Sequence, residues 1–124
     1  CAERNDLKAL SGLYALRQAP PVQWVAWRQQ AKGLIRDGVD FTFGDIVQVF
    51  GCGLDFCLLR TDLLASIPKL RFLTVQERTA DGGLRIHNED YYFWRMARKH
   101  ADVLPFVHTG VRVGHYDMAS GRVF

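Results

Sequence analysis

The sequence predicts a mixed α+β fold. Three observations carry that expectation. Short β-prone runs recur along the chain at 46–50, 54–59, 103–107 and 111–115. One segment, 89–101, has the marks of an amphipathic helix at both ends and along its length. The order is β-rich first, then that helix, then β again, which suits a sheet with a helix packed on it. Apolar residues make up 48% of the 124 and charged residues 23%, a balance that provides a core and argues against disorder.

Taken in order, 13–17 reads as a strand ended by Pro20-Pro21, and 22–28 as a second strand with Trp24 and Trp27 on opposite faces. The glycine-bearing stretch 29–44 reads as a loop, with a short helical stretch or a hairpin as its alternatives. The strand 46–50 ends at Gly51-Cys52-Gly53, after which 54–59 resumes the apolar run. Thr61 is placed as an N-cap, with Asp62 in the first turn of a helix 62–67 that Pro68 stops. A short strand at 72–76 and a polar loop at 79–83 follow.

Helix 89–101 is the best-specified element. Asn88 is its expected N-cap, Glu89 and Asp90 lie in the first turn, and Arg98, Lys99 and His100 in the last, so charge complements the dipole at both ends. Phe93, Met96, Ala97 and Ala101 form its expected apolar face. The strands 103–107 and 111–115 close the fold before a polar tail.

Several function classes are disfavoured. The formal charge of +3 is spread along the chain, with basic residues concentrated only at Arg95, Arg98, Lys99 and His100, so no nucleic-acid partner is expected. No apolar run is long enough to span a membrane. Three cysteines cannot all pair, and Cys52 and Cys57, five apart in a strand-like run, are expected on opposite faces. They read as reduced thiols of a cytoplasmic protein. The chain starts without Met and without an apolar signal core, as expected of something processed or cut from a longer protein.

Three local features bear on chemistry. The adjacent carboxylates Glu89 and Asp90, at a helix start fixed by a cap, suit a general base that must be rigidly aimed. Such a pair also simply stabilises helix starts. His115, at a strand end after Gly114 and two residues before Asp117, suits a metal or phosphate, or is an ordinary hydrogen-bonded histidine. Gly51 and Gly53 permit a ligand or another backbone to come close, or mark a bulge.

These features stand in a familiar order. Leu10-Ser11-Gly12-Leu13-Tyr14, then Arg17 and Pro20-Pro21, resembles the strand and turn that follow the metal-binding Asp-x-Asp of GT-A-type glycosyltransferases, close to the family 2 enzymes and the inverting galactosyltransferases. The run from Phe50 through Gly51, Gly53 and Asp55 to Arg60 looks like their glycine-bearing segment. Asn88-Glu89-Asp90-Tyr91-Tyr92-Phe93 is similar to their acceptor-side motif, and Val111-Arg112-Val113-Gly114-His115 to their closing strand. The resemblance implies the C-terminal half of a GT-A-like sheet, moving a sugar from a nucleotide sugar to a hydroxyl acceptor with inversion. Asp90 would be the general base and Glu89 would orient base or acceptor. Gly51, Gly53 and Asn88 would bind substrate, and His115 would bind Mn²⁺ or Mg²⁺ on the diphosphate.

The chain contains no Asp-x-Asp; Asp37 and Asp40 are spaced differently. Residues 1–124 are therefore expected as a single domain without the nucleotide-binding half, either a fragment or a reduced relative. A half-sheet of that kind has a free edge suited to a homodimer. The alternative is a non-catalytic α+β module that keeps only the scaffold.

Overall fold

The structure, a computed structural model, describes residues 7–15, 23–28, 33–68, 72–114 and 116–123. The fold is mixed α+β, as expected. In chain order the elements are β1 (Ala9–Leu13), β2 (Ala26–Trp27), β3 (Ile46–Gln48), β4 (Gly51–Cys52), β5 (Cys57–Leu59), α1 (Thr61–Ser66), β6 (Val75–Arg78), β7 (Leu84–His87), α2 (Glu89–Ala101) and β8 (Phe106–Arg112). Four strands form one sheet in the order β3-β8-β1-β5. β8 runs antiparallel to β3 and parallel to β1, and β1 is antiparallel to β5. β2 pairs with β4, and β6 with β7, as separate two-stranded ribbons. Among the described residues no helix is long and apolar enough to cross a membrane.

The sheet joins the segments expected to share one, but the strands differ from expectation in register. The first strand is Ala9–Leu13, not 13–17, whose last two residues lie outside the described set. Ala9, Ser11 and Leu13 alternate into the core, each 1% exposed. Gly12 disguises the pattern. It is needed because β1 and β8 approach so closely that a Cβ there would meet the Val111 carbonyl oxygen at 2.9 Å. In place of two strands at 103–107 and 111–115 there is one, β8, which leaves 103–105 and 113–114 outside it. Buried Thr109 lies between the two expected runs, its hydroxyl donating to the carbonyl oxygens of Asp45 at 2.7 Å and Thr42 at 3.3 Å.

Of the described residues 23–28 only Ala26–Trp27 is strand, and the described part of 29–44 is loop with isolated bridges at Leu34 and at Asp37–Phe41. Arg60, not Thr61, caps α1; the Asp62 carboxylate then accepts the Leu63 N–H at 2.9 Å. The strand expected at 72–76 is β6, displaced to Val75–Arg78, and it forms a hairpin with β7 around the expected 79–83 loop. β7 was hidden because its apolar residues, Leu84 and Ile86, face solvent.

Helix α2 spans the expected residues. The Asn88 carboxamide accepts the Tyr91 N–H at 3.0 Å, and Asp102, at φ 52°, ends the helix in the left-handed region. Phe93 and Ala97 are fully buried, whereas Met96 and Ala101 only flank the core. The residue absent from the expected face is Trp94, which is fully buried and packs edge-on against Phe93. The helix rests most closely on β4, α1 and β7.

The contact with β4 has a regular geometry. Arg98 Nη1 donates to the Phe50 carbonyl at 2.8 Å, and Trp94 Nε1 to the Cys52 carbonyl at 2.6 Å. One turn earlier, Asp90 faces the Leu54 backbone N–H, which favours its ionised form. Four helical residues rise about 6 Å, and two extended residues about 6.6 Å. Steps of four on α2 therefore keep pace with steps of two on 50–54, and the two segments are stitched along their length in opposite directions.

Trp94→Phe removes the middle stitch and leaves the Cys52 carbonyl without its donor. The expected loss is about 1–3 kcal/mol, read by chemical denaturation with helix content unchanged.

Candidate functional site

The last stitch is also the site. Asn88 and the start of α2 fix the backbone of Glu89 and Asp90, and the two carboxylates diverge. Glu89 is exposed and accepts from the Thr74 hydroxyl at 3.4 Å. Asp90 is half-buried and faces the turn Gly53-Leu54-Asp55. That turn comes from the β4–β5 connection, so residues more than thirty positions apart meet.

Tyr14 forms the floor of the turn. It is 5% exposed, and its hydroxyl lies 3.5 Å from the Asp55 N–H, which donates to it. Gly53 sits directly over this hydroxyl: a Cβ would fall 1.3 Å from Tyr14 Oη. Gly51 faces Trp27 in the same way, with a Cβ 2.2 Å from the indole ring. Both glycines are buried and leave room for an aromatic side chain of this chain. Asn88 is exposed and spends its carbonyl oxygen on the helix cap.

The electrostatics follow from this packing. Burial raises the Asp90 pKa from 3.8 to about 6, and the negative charges of Glu89 and Asp55 add to it, against the opposing Leu54 N–H. Burial pushes the Tyr14 hydroxyl well above its usual range against the opposing Asp55 N–H, and the charges of Asp55 and Asp90 add to the rise. At neutral pH Asp90 is thus ionised but more basic than an ordinary carboxylate, with a neutral phenol beside it.

Next to the turn lies an open cavity of about 310 Å³, whose lining includes Asp55, Phe56, Cys57, Ser11 and His108. Behind α2, His87 is buried, pairs with Glu77 at 2.9 Å and stacks on Tyr91, which in turn stacks on Trp27. A larger cavity of about 480 Å³, at Arg28, Asp40 and Phe50, includes none of the sequence-predicted site residues.

The structure therefore brings Asp90, Glu89, Gly53 and Asn88 to one end of α2, with Gly51 a strand step away. His115 lies outside the described residues. Sequence reasoning gave no role to Tyr14 or Asp55. Gly53 was the signal for Tyr14, since a glycine that cannot accept a Cβ implies a bulky neighbour. Nothing local marked Asp55. Among the described residues no group of three or more His, Cys, Asp or Glu side chains is placed to hold a metal ion. These residues do not by themselves make a Mn²⁺ or Mg²⁺ site.

No family model and no curated protein matches the chain. The fold does have a counterpart. The viral protein A197 from STIV, known from its crystal structure, aligns with a TM-score of 0.55 at 17% identity, over 95% of this chain and 51% of that one. The likeness is one of fold alone, and this chain spans about half the length of A197.

The raised Asp90 pKa has a thermodynamic consequence. The folded chain holds the Asp90 proton more tightly than the unfolded chain, so this contribution to stability is complete below about pH 4 and is lost as pH rises through about 6. Asp90→Asn removes the dependence. Denaturation of both proteins from about pH 4 to about pH 7 should show the wild type losing ground to the variant across that window. A pH-independent difference contradicts the assignment.

Proposed function

We propose that this chain is the acceptor-side part of an inverting glycosyltransferase, with Asp90 as the general base. The observation that carries the reading is the placement of Asp90. It is a half-buried carboxylate of raised basicity, held at a capped helix start against the Gly53-Leu54-Asp55 turn, whose Leu54 and Asp55 line an open cavity.

In this reading the acceptor enters the cavity beside Asp55, and its hydroxyl reaches Asp90. The Asp90 carboxylate takes the hydroxyl proton as the acceptor oxygen bonds to the anomeric carbon of a nucleotide sugar. The bond from that carbon to the diphosphate breaks, and its electron pair leaves with the diphosphate. Glu89 and Asp55 keep Asp90 basic, and the capped helix start keeps it aimed. Gly51, Gly53 and Asn88 shape the site from behind, through Trp27, Tyr14 and the helix cap. In the same reading His115 would hold Mn²⁺ or Mg²⁺, which would supply positive charge for the leaving diphosphate.

The donor half of the site is to come from sequence beyond this chain or from a second copy. The sheet edges β3 and β5 are the places for added strands, a homodimer through such an edge included. A cytoplasmic location and the absence of a nucleic-acid partner complete the proposal.

The test is transfer by the protein in its full natural length, followed as nucleoside diphosphate release over a panel of nucleotide sugars and hydroxyl acceptors. Asp90→Asn should lower turnover roughly 10²–10⁴-fold with the fold intact. Turnover within about threefold of wild type would return Glu89 and Asp90 to the role of a helix-start pair. The chain would then be a non-catalytic module.

A further inference from the structure

The two cysteines do not lie on opposite faces of one strand. β4 ends at Cys52, the chain turns through 53–56, and β5 begins at Cys57 in a different sheet. The turn leaves the second cysteine within interaction range of the first. Cys57 is aligned with Ser11 across the β1–β5 register, and the Ser11 hydroxyl donates to the Phe56 carbonyl at 3.1 Å, pinning the end of the turn. The Cys57 thiol and the Ser11 hydroxyl both lie near enough to the Cys52 thiol to act on its proton. Both cysteines are free thiols. They differ in access: Cys52 is 1% exposed, whereas Cys57 is partly exposed and lines the 310 Å³ cavity.

We propose that Cys52 and Cys57 are a redox-modifiable dithiol, in which Cys57 is the thiol that meets a small peroxide and Cys52 the one that resolves it. The Cys57 thiolate attacks one oxygen of hydrogen peroxide, the O–O bond breaks, and Cys57 becomes a sulfenic acid as hydroxide leaves and is protonated to water. The Cys52 sulfur then bonds to the Cys57 sulfur. The S–O bond breaks, and the sulfenic oxygen leaves as a second water carrying the Cys52 proton. Each sulfur is oxidised by one electron, and the peroxide is reduced to two waters. Interaction with Cys57, followed by burial, raises the Cys52 pKa well above its usual value, which favours the protonated inner thiol.

The disulfide would close a ring around the turn that carries Gly53, Leu54 and Asp55. The inference stands on the placement of the thiols and does not depend on the function proposed above.

The experiment uses the chain with Cys1→Ser, so that Cys52 and Cys57 are the only thiols. The folded protein is treated with hydrogen peroxide, alkylated with iodoacetamide under denaturing conditions and digested with trypsin. Both cysteines fall in one tryptic peptide, 37–60. The expected peptide is two hydrogens lighter than the reduced form, carries no alkyl group, comes from monomeric protein and regains both alkylation sites after dithiothreitol. A peptide alkylated at both positions, Cys57 overoxidised with Cys52 alkylated, or disulfide-linked dimers would each overturn the proposal. In a second variant, Cys52→Ala added to Cys1→Ser, dimedone should trap one sulfenic acid at Cys57. Failure to form that adduct would overturn the assigned order.

Discussion

The seam between helix α2 and the segment 50–54 organises this protein. A helix and an extended strand have different periods, and they stay in step here because every fourth helical residue meets every second residue of the strand. Asp90, Trp94 and Arg98 engage Leu54, Cys52 and Phe50 in turn. The chemistry of the three stitches changes along the seam. At the far end Arg98 adds a cation–π contact, 3.6 Å above the Phe50 ring. In the middle a buried indole satisfies a buried carbonyl. At the near end a half-buried carboxylate faces the Leu54 amide at the border of solvent. The two-stranded β2–β4 ribbon, too short to be stable alone, is held to the body of the fold through this seam.

The near end is where structure and function pull against each other. As a stitch, Asp90 needs only an acceptor oxygen, and an asparagine has one. As an ionised group it is disfavoured by burial and by the charges of Glu89 and Asp55, with the Leu54 N–H in opposition. The helix dipole also favours the anion. A neutral stitch would avoid the cost of the charge. That tension is characteristic of a group placed for proton transfer and is the physical ground for reading this end of α2 as a site. The turn facing it is rigid for local reasons: the Tyr14 hydroxyl lies beneath Gly53 and Asp55, and the space for it exists only because residue 53 has no side chain.

What the sequence revealed follows from the range of each interaction. Helix 89–101, its Asn88 cap and the inward Phe93 and Ala97 were legible because caps, dipole and periodicity are local. Trp94 was not, since its place is set by a carbonyl forty-two residues away. The strand at Ala9–Leu13 was obscured by Gly12, a residue that weakens strands in general and is needed in this one by the approach of β8. β7 was obscured because its apolar residues face outward. Asp90 was legible as a carboxylate at a helix start, but its burial and basicity were not, because they come from the 53–55 turn. The two cysteines were misjudged for a related reason. Alternation predicts opposite faces only while a strand continues, and this one ends between them.

The most direct test of the account is the titration of Asp90 itself, followed through its carboxyl carbon by NMR in the chain labelled with carbon-13. The account predicts a midpoint at about pH 6, set by burial and by the neighbouring carboxylates. A midpoint in the ordinary aspartate range, near 3.8, would mean that Asp90 is solvated and free of the turn. It would contradict the seam, the site and the function argued from them.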